Sequence, residues 1–209
     1  METSLILSFL VASILLTIMP GPDNIFVLTE SLTRGRKNGI MISIGLSLGV
    51  LIHTMAAATG LSIIIQKSAI AFSVIKYIGA LYLFYLAFKS IKEKKENVNT
   101  SDNNAVKPQS SLFLIRKGFL MNVLNPKVAL FFIAFLPQFI SQTGINLTYQ
   151  MLVLGIIFAI QALLLFVVIA YLSGTLTKYV NNDKFWNITK WSKVTVLSGL
   201  GLALVFSKK

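Results

Sequence analysis

The amino-acid sequence predicts an all-α integral membrane protein built as a six-helix bundle. Hydrophobic residues make up 55% of the 209 residues and charged residues only 12%, about half of the charged fraction of a soluble domain. The apolar residues lie in long runs, and a helix needs about 20 of them to cross a hydrocarbon layer of about 30 Å. The runs show no period-two alternation and lipid offers no hydrogen bonds to bare backbone, so helices are expected rather than barrel strands.

Six apolar stretches are the predicted spans, in chain order. Five of them reach the required length: residues 5–28, 40–65, 69–88, 119–140 and 151–172. The sixth, residues 194–206, has only 13 residues, so it could cross a thinned bilayer or lie in the membrane interface. We take it as a span, and the side of the membrane that holds the C-terminus depends on this choice.

Charged residues are almost absent from these stretches. Of the 19 Lys and Arg and 7 Asp and Glu residues, three lie within a span: Asp23, Lys76 and Lys127. An ionised side chain at the bilayer centre costs about 2.5–3.5 kcal/mol, so the net charge of +12 belongs to the loops and indicates membrane topology rather than nucleic-acid binding. With the N-terminus outside, the inner loops hold 14 Lys and Arg residues and the outer loops three, as the positive-inside bias requires. Lys76 lies near the outer end of its span and is expected to snorkel.

The composition also excludes several kinds of chemistry. The chain has no cysteine and one histidine, so disulfides, thiolate metal sites, iron–sulfur clusters and His-cluster zinc sites are not expected. No segment resembles a catalytic constellation or a nucleotide-binding loop. We therefore expect neither an enzyme nor a cofactor, and no ATP drive within this chain.

Residues 91–111 form the longest polar segment. They are rich in Lys, Glu, Asn and Ser and show no periodicity, which is typical of a flexible linker. This predicted cytoplasmic linker divides the chain into a first three-span half, residues 1–90, and a second three-span half, residues 112–209.

Each half opens with a span that contains helix-breaking residues. Proline has no N–H to donate, so the breaks leave the backbone carbonyls of Leu16, Ile18 and Asn122 without their usual donors. Such breaks survive only where protein or water replaces the lost partners. Interrupted helices at corresponding positions of two halves point to a transporter binding site between inverted repeats. The breaking residues are Pro20, Gly21 and Pro22 in the first span and Pro126 in the fourth.

The repeat is expected to be approximate. Hydropathy places both breaks six to eight residues from the cytoplasmic end of their spans, whereas inversion requires opposite depths. Either the fourth span starts near Leu112, with Arg116 and Lys117 snorkelling, or the two three-helix repeats match only roughly.

A charged residue follows the proline of each break: Asp23 follows Pro22, and Lys127 follows Pro126. A carboxylate and an ammonium in these places could hold the two ends of a zwitterion, or pair with each other when the site is empty. Alternatively, Asp23 only stabilises a helix start and Lys127 only snorkels. Polar amides at membrane depth also need partners, which a substrate or water would supply: Asn24, Asn122, Asn125 and Gln161.

Small residues mark a packing face on the second span. Gly45 and Gly49 lie four residues apart, a spacing that lets helices approach closely. The partner could be a helix of the same chain or of a second protomer, so a homodimer is left open. His53 lies on the same stripe and could relay protons or simply hydrogen-bond within the bundle.

Four segments carry a family resemblance: PGPDN at 20–24, GRKNG at 35–39, KYIGALYLFYLAFK at 76–89 and NPKVALFFIAFLPQF at 125–139. In content and order they resemble the lysine-exporter (LysE/RhtB) family of bacterial amino-acid exporters. The short final stretch departs from the family pattern. The positions that match family motifs are Pro20, Gly21, Pro22, Asp23, Asn125, Pro126 and Lys127.

The resemblance implies efflux of amino acids or related zwitterionic metabolites across a bacterial-type plasma (inner) membrane, driven by the proton gradient. We expect the substrate between the broken spans, with its ammonium or a coupling proton at Asp23, its carboxylate at Lys127, and Asn24, Asn125 and Gln161 as further contacts. The expected partners are the substrate, protons and the lipid bilayer. Two alternatives remain open: a passive pore for small solutes, and a membrane assembly protein that transports nothing.

Overall fold

The computed structural model describes residues 2–19, 21–61, 64, 68–93, 109–141, 146–180 and 182–206. Throughout this part of the chain the regular structure is helical, as predicted. The helix over Arg36–Ala56 continues as a π-helical turn over Ala57–Leu61, and the helix over Pro126–Leu130 continues through a π-helical turn over Phe131–Phe135 and a 3-10 turn over Leu136–Phe139. The helices are α1 (Thr3–Ile18), α2 (Pro22–Arg34), α3 (Arg36–Ala56), α4 (Ala69–Lys92), α5 (Ser111–Val123), α6 (Pro126–Leu130), α7 (Leu147–Val180) and α8 (Asp183–Phe206).

The helices supply four to six spans. Helices α3, α4, α7 and α8 are long and apolar enough to cross a membrane alone, and each of two bent pairs would make a further span. Helices α1 and α2 meet at 58°, and α5 meets α6 and its continuation at 50°. These bends fall at the two predicted breaks. Pro20 lies outside the described residues, as do residues 94–108 of the predicted linker.

Local sequence sets several helix ends. Ser68 and Ser110 cap α4 and α5 by accepting hydrogen bonds from the backbone N–H groups of Ala71 and Phe113, at 3.1 and 3.2 Å, as N-cap serines do. Gly35 separates α2 from α3 with φ +90°, a backbone conformation that glycine adopts without steric cost. The glycine therefore lets the chain end one helix and begin the next within one residue.

The last span is longer than the sequence suggested. Helix α8 has 24 residues, because its first turns carry polar and aromatic residues that an apolar window does not count. It runs antiparallel to α4: Lys193 pairs with Glu93 at 2.7 Å, and further along Gly201 packs against the ring of Phe84. The predicted start at residue 194 was therefore wrong, and α8, which is long and apolar enough to cross a membrane, lies alongside α4.

The fourth span also starts earlier than its apolar stretch. Helix α5 begins at Ser111, which agrees with the alternative start near Leu112 but not with the snorkelling of Lys117 that went with it. Lys117 does not extend away from the protein: its Nζ lies 4.2 Å from the centre of the Phe26 ring and 4.0 Å from Glu30 Oε1. Helices α2 and α5 each have 13 residues, so both breaks lie farther from the predicted cytoplasmic end than the six to eight residues that hydropathy indicated.

The glycine stripe is an interface within the chain. A Cβ on Gly45 would meet the carbonyl oxygen of Ile115, and one on Gly49 would lie 2.7 Å from Asn122 Cβ. Gly118 on α5 approaches the carbonyl of Ile42 in the same way. Helices α3 and α5, from different halves of the chain, therefore touch backbone to backbone, so the two halves form one bundle.

An aromatic cluster packs the bundle on the side of the breaks that is predicted to face outward. The rings of Phe9 and Phe139 lie 5.4 Å apart, and the ring of Phe158 lies 5.5 Å from Phe131 and 5.3 Å from Phe132. These residues come from α1, α7 and the continuation of α6. Distances in this range are typical of packed aromatic pairs, so the cluster closes this end of the bundle.

Candidate functional site

The two breaks meet in the interior of the bundle. Asn125 Nδ2 donates to Asp23 Oδ2 at 2.6 Å, and Lys127 Nζ donates to the carbonyl oxygens of Leu16 and Met19 at 3.2 and 3.4 Å. Asp23 is only 3% exposed. The fold thus brings together residues that lie about 100 positions apart, and they belong to the two segments that the sequence singled out.

Asn125 joins the two charged residues. Its Oδ1 accepts from the backbone N–H of Lys127 at 3.0 Å and so caps α6, while Pro126 occupies the first helical position, where a missing N–H costs nothing. The amide nitrogen of Asn125 is then directed at Asp23. In the described part of the chain no direct ion pair joins Asp23 to Lys127, so the direct pairing considered for an empty site is absent from this structure.

Side chains replace the donors that the first break removes. Asn24 Nδ2 donates to the carbonyls of Thr17 and Ile18 at 3.0 and 3.2 Å and also lies 3.4 Å from that of Met19. The Leu16 carbonyl receives the Lys127 ammonium instead. Asn24, predicted as a substrate contact, therefore supports the end of α1.

The second break is supported from α3. His53 Nε2 lies 3.1 Å from the carbonyl oxygen of Asn122, and because a carbonyl only accepts, this ring nitrogen is the donor. The same carbonyl accepts from the backbone N–H of Asn125 at 2.9 Å. His53 thus binds the carbonyl that Pro126 leaves free, which is the bundle hydrogen bond proposed as one of its two roles.

A small cavity lies between the breaks. Its volume is about 10 Å³, which is room for about one water molecule. The structure is therefore a closed state, and an amino acid could enter only if the helices around the breaks moved apart. Polar and apolar side chains line the cavity: Thr17, Asp23, Asn122 and Lys127, with Leu16, Val128, Phe158, Ala162 and Phe166.

Unpartnered acceptors lie at and beside the cavity. Asn122 Oδ1 and Gln161 Oε1 are buried and have no hydrogen-bond partner among the described residues. The nitrogen of the Gln161 amide donates to Thr17 Oγ1 at 3.0 Å, which ties α7 to α1 beside the break. Buried polar atoms normally find partners, so these oxygens are available to a donor.

Gly21 lies next to the lysine. A Cβ at Gly21 would lie 3.5 Å from Lys127 Nζ, which is an ordinary van der Waals distance. Pro22 and Pro126 each begin the helix that follows their break. Of the predicted site residues, Asp23, Asn125 and Lys127 come together directly, and Gln161 hydrogen-bonds to Thr17, which lines the same cavity as Asp23 and Lys127.

Sequence reasoning missed three parts of the arrangement. Thr17 and Phe166 line the cavity, but nothing in an apolar span distinguishes a cavity residue from a core residue. Glu30 was counted with the loop, yet it is 6% exposed and pairs with Arg34 at 3.6 Å as well as with Lys117.

The predicted snorkelling of Lys76 was wrong: it is 6% exposed, with its ammonium 5.0 Å from the ring centre of Tyr77.

Comparisons with known proteins agree on the kind of protein. A family model described as LysE type translocator matches residues 14–208. The uncharacterized membrane protein YrhP of Bacillus subtilis (strain 168) is 33% identical over 94% of this chain and 96% of its own length. A leucine efflux protein of Salmonella typhimurium (strain LT2) is 31% identical over 66% of this chain and 64% of its own length. No solved structure matches the chain.

Proposed function

Because the chain belongs to the LysE type translocator family, a family of membrane transporters and not of enzymes, we propose that it is a secondary active exporter of amino acids or related small zwitterionic metabolites. The substrate binds between the broken first and fourth spans. The proton gradient drives export. Multi-pass helices and the family place the protein in a membrane, and the resemblance favours a bacterial inner membrane.

The observation that carries this proposal is the meeting of a carboxylate, an amide and an ammonium at two broken helices around one cavity. Asp23 offers a negative charge to a substrate ammonium, and Lys127 offers a positive charge to its carboxylate. Asn125 holds Asp23 in place through the 2.6 Å hydrogen bond. A buried pair of opposite charges is costly unless each is hydrogen-bonded, and a zwitterion presents matching charges to both.

The apolar wall of the cavity favours a substrate with an apolar side chain. Leu16, Val128 and Phe166 line the cavity together with Phe158, and apolar pockets discriminate by the area they bury. The relatives named as leucine efflux proteins agree with this preference. We therefore expect leucine and other branched apolar amino acids to rank above basic and acidic ones.

Proton coupling follows from competition for one carboxylate. Asp23 can bind a proton or a substrate ammonium, but not both at once. When the cavity faces outward, a proton from outside takes the carboxylate and the ammonium leaves. When the cavity faces inward, the proton departs and a new ammonium binds. Each cycle then moves one proton in for each substrate molecule out.

Both ends of the bundle must open in turn. In the closed state the Phe9, Phe131 and Phe158 rings close the predicted outer end, and the ion pair between Glu30 and Lys117 joins α2 to α5 on the predicted cytoplasmic side. The Lys and Arg distribution favours an N-terminus outside. A transporter that opens one end at a time shifts between such states as substrate and proton bind.

An efflux assay tests the proposal. Cells loaded with dipeptides release amino acids internally, and export of a panel of amino acids is measured with and without an uncoupler. Uphill export that collapses with the uncoupler supports the proposal, whereas efflux that only follows the concentration gradient indicates a passive pore. Purified protein that moves no substrate in proteoliposomes would favour the assembly-protein alternative.

The role of Asp23 has its own matched pair of variants. Asp23→Asn removes the charge with little change in shape, so export should stop while the protein still inserts into the membrane. Asp183→Asn makes the same chemical change at an exposed position at the start of α8 and should export normally. Wild-type rates in Asp23→Asn cells would rule out the assigned role.

A further inference from the structure

We propose that the carboxyl-terminal end of α1 is a binding site for a protonated primary amine. Lys127 fills this site in the closed state, and the ammonium of the substrate fills it in the loaded state. The inference rests on the proposed function above, in which the substrate binds between the broken spans, and adds that one ammonium replaces another there. The site consists of the carbonyl oxygens of Leu16 and Met19 and faces the cavity that Asp23 also lines.

The first observation is that Lys127 is a bound cation in this site. Its Nζ donates to the Leu16 and Met19 carbonyls at 3.2 and 3.4 Å, and both of these residues are buried, at 1% and 4% exposed. In an unbroken helix the Leu16 carbonyl would accept from the N–H of residue 20, which is a proline. Among the described residues, Lys127 is therefore the donor to that carbonyl. The carboxyl-terminal end of a helix also carries partial negative charge, which favours a cation.

The second observation is the excess of acceptors at the same cavity. Asn122 is 2% exposed, lines the cavity, and its Oδ1 has no partner among the described residues. Asp23 adds a carboxylate. A ligand that complements carbonyl, amide and carboxylate oxygens must donate several hydrogen bonds and carry positive charge. A primary ammonium has three N–H donors and no acceptor, so it fits, whereas a hydroxyl has one donor and no charge.

Binding of the substrate requires Lys127 to move. In the proposed site Lys127 meets the substrate carboxylate, and its ammonium must then leave the α1 carbonyls. A buried carbonyl without a donor is costly, so Lys127 can leave readily only if another donor takes its place. The substrate ammonium is that donor, because it arrives on the same molecule as the carboxylate that attracts Lys127.

This exchange predicts an unusual ligand preference. An amine without a carboxylate does not attract the Lys127 ammonium away from the α1 carbonyls. Such an amine should therefore bind the wild-type protein weakly. The apparent affinity of a ligand falls in proportion to the fraction of protein whose site is free. If Lys127 is removed, the site is vacant, and the same amine should bind more tightly.

The test uses purified protein in detergent and two probes, leucine and isopentylamine, which is leucine without its carboxylate. The melting temperature is followed as each probe is titrated into wild type, Lys127→Ala and Lys127→Arg. We expect the half-saturating isopentylamine concentration to be about tenfold lower or more in Lys127→Ala than in wild type. Lys127→Arg keeps a cation on the carbonyls and should behave like wild type.

Other outcomes overturn the inference. If isopentylamine stabilises wild type and Lys127→Ala at equal concentrations, or stabilises neither, the amine site does not exist. If Na⁺ stabilises Lys127→Ala as strongly as the amine, the site accepts any small cation. Should Lys127→Ala not fold, Lys127→Gln keeps a neutral donor near the carbonyls and is titrated in its place. This test measures binding and not transport. It therefore shows whether the amine site exists even if the wild type exports no amino acid.

Discussion

Removing the hydrogen bond between Asn125 and Asp23 should destabilise the fold by a measurable coupling energy. The bond joins the two broken spans at 2.6 Å, and its acceptor is a carboxylate, which makes a stronger acceptor than a neutral oxygen. Such bonds contribute about 1.5–3 kcal/mol. A double-mutant cycle of Asp23→Ala and Asn125→Ser isolates this contribution, because it subtracts every effect that either residue has alone.

Serine is chosen at position 125 because it removes one role of Asn125 and keeps the other. Asn125 also caps α6 through its Oδ1, and a cap is worth about 0.5–2 kcal/mol. Serine keeps an oxygen that can cap the helix but has no amide nitrogen to donate to Asp23. Asp23→Ala loses the interaction of a carboxylate with the first turn of α2, about 0.3–1 kcal/mol, and the cycle cancels that term as well.

The free energy of unfolding is measured by titrating SDS into mixed micelles and following tryptophan fluorescence. We expect a coupling of about 1.5–3 kcal/mol, equivalent to roughly a ten- to hundredfold change in the unfolding equilibrium. Glu2→Gln serves as the control for additivity, because the 16 residues of α1 separate it from Asp23 by about 24 Å. A coupling between Asp23 and Asn125 no larger than that control, about 0.5 kcal/mol or less, would refute the contact.

Three further predictions test the bundle around the site. Gly45→Ala should destabilise the protein by about 1–3 kcal/mol because its Cβ overlaps the facing backbone, whereas Gly199→Ala, which meets nothing within 4 Å, should be neutral or stabilising in the same SDS titration. His53→Ala should cost about 1 kcal/mol by removing a donor from the broken fourth span, and His53→Gln should recover part of it. In a chain without native cysteine, Glu93→Cys combined with Lys193→Cys should be cross-linked by a short bifunctional thiol reagent, detected by electrophoretic mobility, because the 2.7 Å ion pair brings the two side-chain ends together; a failure to cross-link would contradict the antiparallel packing of α4 and α8.

Much of the site could be predicted from the sequence because its signals are local. Proline lacks an N–H, so Pro22 and Pro126 marked carbonyls that need other donors, and charges at membrane depth are costly enough to mark Asp23 and Lys127. The predicted shortage of donors is visible in the structure. The Asn24 amide donates to the Ile18 carbonyl at the end of α1, and the Lys127 ammonium donates to the Leu16 carbonyl.

The sequence was less informative where a residue's role depends on its neighbours. Thr17 and Phe166 look like ordinary members of an apolar span, and nothing local shows that Thr17 bonds to Gln161 or that Phe166 lines a cavity. Hydropathy also misplaced the starts of α5 and α8, because the helices extend into polar turns that pack against other helices. Glu30 was assigned to a loop for the same reason.

From the amino-acid sequence alone we could infer that the chain crosses a membrane as helices, that two of them break at proline, and that a carboxylate and an ammonium lie at those breaks. These properties follow from composition and backbone chemistry, which act over a few residues. The folded structure was needed to show that Asn125 lies between the charges, that Lys127 donates to the α1 carbonyls, and that Gly45 packs against a helix of its own chain. Such contacts join residues about 70 to 110 positions apart, and they form because buried polar groups must find partners wherever the packing of the whole bundle places them.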